Sequence, residues 1–347
     1  MSEQTKKYDA ICIGQIVQDI LVTNIPEDAL TCGEPTIDAD QILMAGGGDA
    51  INEAATLSRL GNNVALLGRL DQGDVGNMIC GDLDRCGINK DLLIRPEDCQ
   101  SVSVIVVVKP NGEHSFFLGK GENDALQRAD IDLSVFREAR AVLAGSLYIL
   151  GELDTNGIVE IFRAAKEGGA ITVADMTYDS KKLGPHAFDD LYPYVDYCMP
   201  SYEEASYVTG ETEPDAIADA FLNMGAKHVL IKLGGEGCFF KDAQKRFYTD
   251  PFKITPVDTT GCGDNFVAAF THCLLKGLSV EECAEFASAA GALNSQGLGA
   301  HMTVMSEEQV LEFMKNTPKV EFHRNLPAIK ICRGKAGADR LLKLFGK

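Results

Sequence analysis

Short unbroken apolar runs alternate along this chain with stretches whose apolar positions recur at helical spacing. Ala10-Ile11-Cys12-Ile13, ahead of Gly14, reads as a first strand buried on both faces. Residues 50–60 have helical spacing, 64–67 form a strand, and 76–86 form a helix closed by Gly87. Further strands are predicted at 141–144, 170–174, 197–199 and 228–233, with helices between them. A strand at Cys238-Phe239-Phe240 and helices over 266–275 and 283–295 follow. This alternation predicts an α/β fold, a mostly parallel central sheet with helices on both faces.

One portion breaks the rhythm. Residues 102–109 are rich in Val, Asn111-Gly112 is a strong hairpin turn, and 114–118 supply a second strand, so this part reads as an antiparallel ribbon. The stretch 20–42, with Pro26 and Pro35 and few helical signals, offers further strands.

Composition narrows the function classes. A chain of 347 residues suits one large domain plus something smaller, and 45% hydrophobic residues suffice for its core. A net charge of −19 argues against a nucleic-acid partner, since phosphate backbones call for clustered Lys and Arg. The one basic region, 319–347, is short and reads as a carboxy-terminal extension. The amino terminus is polar and no apolar window reaches the roughly 18 residues a membrane span needs, which points to a cytoplasmic protein with no membrane partner. Eleven cysteines without a Cys-x-x-Cys pair read as buried free thiols. Cys262 is singled out, because a thiol near a helix N-terminus can have a lowered pKa.

The chemistry concentrates at Asp258-Thr259-Thr260-Gly261-Cys262-Gly263-Asp264, just before the 266–275 helix. Gly261 and Gly263 let the main chain approach an anion closely, and the helix N-terminus adds partial positive charge. Asp264 stands where a hydroxyl attacking a bound phosphate would lie, and a carboxylate is tolerated there when it must accept a proton.

This segment resembles the carboxy-terminal signature of the PfkB (ribokinase-like) carbohydrate kinases, Asp-Thr-x-Gly-Ala-Gly-Asp, with Cys262 in place of the usual Ala. Gly47-Gly48-Asp49-Ala50-Ile51-Asn52, running on to Leu60-Gly61, resembles the amino-terminal signature Gly-Gly-x-x-x-Asn. The resemblance spans roughly residues 8–315 and implies a single ribokinase-like kinase domain with a small β lid, its strands expected from about 20–44 and 99–119.

The resemblance also implies roles. Asp264 would be the base, with the amides of Gly261, Cys262 and Gly263 holding the transferring group, while Asp19, Gly47, Gly48 and Asn52 would bind the sugar. Lys232, Gly234, Gly235, Gly237 and Asn294 would lie beside ATP. Glu204 matches a residue that orders Mg2+ through water, although Ser201 stands where the family has Asn. Asp258 and Thr260 match one side of a monovalent-cation site, usually potassium. The expected activity is transfer of the γ-phosphoryl group of ATP to a hydroxymethyl group of a small sugar. Two alternatives are a nucleoside kinase and a catalytically silent sugar-binding regulatory protein on the same scaffold. The lid edge leaves a homodimer open. A dehydrogenase is disfavoured, because Gly14-Gln15-Ile16-Val17-Gln18-Asp19 lacks Gly-x-Gly-x-x-Gly.

Overall fold

The first strand, β1 (Tyr8–Ile13), sends Ala10 and Cys12 into one apolar core and Ile11 and Ile13 into another, so both faces of its sheet are covered. The computed structural model describes residues 6–26, 28–29, 32–33, 35–109, 114–121, 125–322, 340–341 and 343–345. The same two-sided burial recurs in β4 (Val64–Leu67) and β7 (Ala139–Leu147), where Leu66 and Leu143 enter the first core and Leu67 and Val142 the second. Two-sided burial explains why these strands read as unbroken apolar runs.

The sheet is completed by β8 (Ile171–Met176), β9 (Tyr197–Cys198), β10 (His228–Lys232), β11 (Cys238–Asp242) and β12 (Arg246–Thr249). Its order is β12-β11-β10-β9-β8-β7-β1-β4, with the six strands from β10 to β4 parallel and β11 and β12 antiparallel at one edge. The strand β12 has no counterpart in the sequence reading. The first core is roofed mainly by α1 (Asp49–Arg59), α2 (Asp74–Cys86), α7 (Cys262–Leu275), α8 (Val280–Asn294) and α9 (Glu307–Asn316). The short α3 (Glu152–Thr155) and the helices α4 (Ile158–Glu167), α5 (Tyr202–Thr209) and α6 (Pro214–Met224) cover the second. Helix starts follow local chemistry: Ser201 and Ser279 each form a reciprocal capping box, with Glu204 and Glu282 respectively.

A separate four-stranded sheet has the order β3-β2-β5-β6, from β2 (Val17–Thr23), β3 (Ile42–Gly47), β5 (Val102–Val108) and β6 (His114–Leu118). It comes from the two places expected to form the lid, although its first strand begins at Val17 rather than near residue 20. The Asn111-Gly112 turn lies outside the described residues. Much of the basic extension does too, but near its end Phe345 packs against His272 and Phe286, with ring centroids 5.7 and 5.3 Å apart. Among the described residues no helix is long and apolar enough to cross a membrane.

Candidate active site

At the carboxyl edge of the large sheet the chain turns sharply into α7. Gly261, its N-cap, has φ 70°, a left-handed conformation that few other residues adopt, whereas Cys262 and Gly263 already belong to the helix. Asn265 fixes this turn from the helix side. Its Nδ2 donates to the carbonyls of Gly261 and Ala300, at 2.7 Å each, and its Oδ1 accepts from Thr56 Oγ1 of α1 at 2.8 Å. Asn265 stands next to the recognised acid in the sequence but carries no signal of its own, since its part is played in the interior.

Asp264, in the first turn of α7, is half-buried, and Asn52 Nδ2 of α1 donates to its Oδ2 at 2.7 Å. Burial raises its pKa above the ordinary carboxylate value, while the Asn52 hydrogen bond and the Lys232 charge work in the opposite direction. The raised pKa makes it a stronger base than an exposed aspartate. The two signature segments, remote in sequence, thus meet in one hydrogen bond.

Asp19 lies on β2 opposite Ala45 of β3, and its carboxylate occupies the space that a β-carbon on Gly47 would fill, 2.1 Å away. Burial, then the charges of Asp264 and Asp258, push its pKa up to about 7. Gly48 caps α1 with φ 93°, and a β-carbon there would come within 2.3 Å of the Gln15 carbonyl. The register of the lid places Val104, Val106, Phe116 and Leu118 on the same face as Asp19, whereas Phe117 pairs with Ile105 on the opposite face.

The neighbouring cleft encloses about 1240 Å³ and runs from Asp264 and Gly263 past Lys232 and Gly234–Gly237 to Glu204. Lys232 ends β10 and forms an ion pair with Asp175 at the end of β8. Burial opposes its charge, but Asp175 and Glu204 outweigh that and hold the ammonium above the ordinary lysine pKa. Gly234, Gly235 and Gly237 line this cleft in a tight turn, and at Gly237, with φ 92°, a β-carbon would meet the Thr249 carbonyl at 2.0 Å.

Several expectations change. Asn294 is not at an adenine-facing position: it is fully buried, and its amide donates to the carbonyls of Thr260, at 3.0 Å, and Ala300, at 3.1 Å. It braces the anion turn from behind. The Ser201 hydroxyl caps α5 by accepting from the Glu204 amide and keeps its own O–H to donate at the cleft it borders. Glu204 accepts in turn from the Ser201 amide at 2.8 Å while its side chain borders the cleft. Asp258 accepts from Thr260 N and Oγ1, and from Gly299 N at 2.9 Å. Cys262 is no activated thiol, because burial pushes its pKa up to about 12.

Some site residues carried no assignment in the sequence reading. Asp49 opens α1 inside the recognised Gly-Gly signature, borders the cleft and accepts from Ser146 Oγ at 3.0 Å. Glu53, one turn on, is wholly buried with neither carboxylate oxygen hydrogen-bonded, and burial followed by the Asp264 charge raises its pKa well above the ordinary value. Asp175 could have been found from its place at the carboxyl end of a parallel strand, where such sheets build their sites.

The profile of the pfkB family carbohydrate kinases matches residues 8–305. A probable fructokinase-4 of Arabidopsis thaliana is 27% identical over 298 residues, covering 82% of this chain and 91% of that protein. The solved structure of Arabidopsis thaliana ribokinase complexed with ribose and ATP superposes with a TM-score of 0.73 at 27% identity, covering 88% of this chain and 98% of the other. A ribokinase-like protein from E. coli, solved with ATP and Mg+2, shares the fold with a TM-score of 0.77 at 20% identity over 88% of this chain and 98% of its own. This chain belongs to the pfkB family of carbohydrate kinases.

Proposed function

We propose that this family member transfers the γ-phosphoryl group of ATP to a hydroxymethyl group of a small sugar, with Asp264 as the base. The observation that carries the reading is the 2.7 Å hydrogen bond from Asn52 to Asp264, which joins an amide and a half-buried carboxylate at the start of α7. Asp19 and the second N–H of Asn52 would bind the acceptor hydroxyls from the lid and the core. Asp264 would take the hydroxyl proton as the oxygen attacks, and the amides of Gly261, Cys262 and Gly263 would hold the developing charge at the start of α7. Lys232 keeps positive charge under Gly263, whose β-carbon position lies 3.2 Å from its Nζ. The lid would exclude water, which competes as acceptor.

The residues at the cleft fit a nucleotide and its divalent ion. Gly234, Gly235 and Gly237 give close backbone approach, and the Glu204 carboxylate supplies hard oxygen donors beside the phosphate path, suited to Mg2+ through water. When bound, Mg2+ neutralises charge on the phosphates. The potassium assignment has weaker support: both Asp258 oxygens and the carbonyls of Thr260 and Ala300 already accept hydrogen bonds within the protein.

A nucleoside acceptor is the second reading, favoured by Phe116 and Leu118 on the face of the lid that carries Asp19. The opposite face exposes Ile42, Met44, Ile105 and Phe117, which supports pairing of two lids in a homodimer. A panel of ribose, fructose, 2-keto-3-deoxygluconate, inositol and adenosine, followed by coupled ADP detection, tests the substrate class. Asp264→Asn tests the chemistry: turnover is expected to fall by at least about 100-fold with ATP and acceptor binding largely kept. Retention of more than about a tenth of wild-type turnover would remove Asp264 from the role.

A further inference from the structure

His301 lies in the loop after α8 and is only 2% exposed. Its Nδ1 stands 2.8 Å from Asn52 Oδ1, on the far side of the amide from Asp264. The hydrogen-bonding roles along this line are fixed by chemistry. The Asp264 carboxylate can only accept, so Asn52 must present Nδ2 to it, which turns Oδ1 toward the ring. An amide oxygen only accepts, so the His301 proton must sit on Nδ1. Burial, then the nearby Arg59 charge, lowers the His301 pKa to about 4, and the ring is neutral at physiological pH. Arg59, in the last turn of α1, donates to the His301 backbone carbonyl and ties the loop to the helix that bears Asn52.

We propose that His301 is a positioning residue for phosphoryl transfer: its Nδ1–H clamps the Asn52 amide in the orientation that donates one N–H to Asp264 and leaves the other for the acceptor hydroxyl. The inference rests on the reading of Asp264 as base. An amide held only by Asp264 samples other rotamers and flips, and each departure leaves the base without its donor and the acceptor without its guide. Nothing in the two signatures points to residue 301, since the ring reaches Asn52 through the fold alone.

The test uses the full chain, ATP and the best acceptor from the panel, with kcat and both KM values measured for wild type, His301→Ala, His301→Leu and His301→Asn. Loss of one organising hydrogen bond predicts a fall in kcat of about tenfold for His301→Ala, with the KM for ATP within about twofold of wild type. His301→Leu fills the volume without a donor and should show the same loss, which keeps the test valid if the alanine variant melts early. His301→Asn, whose amide nitrogen takes the place of Nδ1, should recover most of the activity. In an Asn52→Ala background, His301→Ala should have no further effect.

Wild-type kcat in both His301→Ala and His301→Leu would overturn the proposal, as would an undiminished loss in the Asn52→Ala background. Those results leave the reading of Asp264 standing if Asp264→Asn is inactive, whereas an active Asp264→Asn overturns that reading and this inference with it.

Discussion

A β-carbon on Gly261 would lie 2.1 Å from the carbonyl oxygen of Ala300. That oxygen cannot retreat, because Asn265 and Asn294 both bind it, at 2.7 and 3.1 Å. The turn therefore excludes side chains on two counts, the contact itself and the left-handed φ of 70°.

Gly261→Ala should lower the unfolding free energy by roughly 2 kcal/mol or more, from left-handed strain plus the clash, and reduce turnover by more than about 100-fold as the amides lose their aim. Urea titration and initial rates check this. Unaltered stability would mean that the turn relaxes readily and that glycine is not required there.

Gly263→Val and Cys262→Ala should part company. At Gly263 the backbone is helical and a β-carbon meets only the flexible Lys232 Nζ at 3.2 Å, so the obstacle is bulk beside the phosphate path. Valine should abolish activity in a folded protein. Cys262 supplies an amide and a buried thiol, so Cys262→Ala should retain activity within a few fold. A dead but folded Cys262→Ala protein, verified by circular dichroism, would reopen a role for sulfur.

Asp19 predicts a pH-dependent term in stability. Its folded-state pKa of about 7 exceeds the ordinary aspartate value of 3.8, so the folded protein binds the proton more tightly than the unfolded chain. Stability then falls as pH rises between those values, and is restored on acidification. Asp19→Asn stays uncharged throughout, so its melting temperature relative to wild type should increase between pH 5 and about pH 8. A difference independent of pH would show that Asp19 is ionised across that range.

Lys232→Met should leave Asp175 buried without its cation. The two side chains are 14% and 4% exposed, a setting in which breaking an ion pair typically costs about 3–5 kcal/mol. Adding Asp175→Asn should recover part of that loss in chemical denaturation. If the second substitution deepens the loss instead, the pair is not the source of the stability.

The sequence reading placed the parallel strands well because burial on both faces leaves unbroken apolar runs such as 64–67, which coincide with β4. It singled out Asp264 and Asn52 through their resemblance to two family signatures, and the structure joins them in a 2.7 Å hydrogen bond. Asn294 was misplaced for the opposite reason: an amide late in a helix can face a ligand or an internal carbonyl, and spacing does not distinguish them. His301 and Asp175 were overlooked because their chemistry depends on neighbours remote in the chain. The 3.0 Å contact of His272 with Glu307 is a structural parallel, a buried imidazole–carboxylate pair whose spacing gives no sign of it.

The strand β3 enters α1 through Gly48 alone, where φ is 93° and the chain passes against the Gln15 carbonyl. The margin of the lid and the helix bearing Asn52 are thus consecutive pieces of one covalent path. A tilt of this sheet about Gly48 would therefore act on the helix whose Asn52 amide donates to Asp264. On the proposed reading, closing the cover over an acceptor and setting the base would then be one movement about a shared pivot.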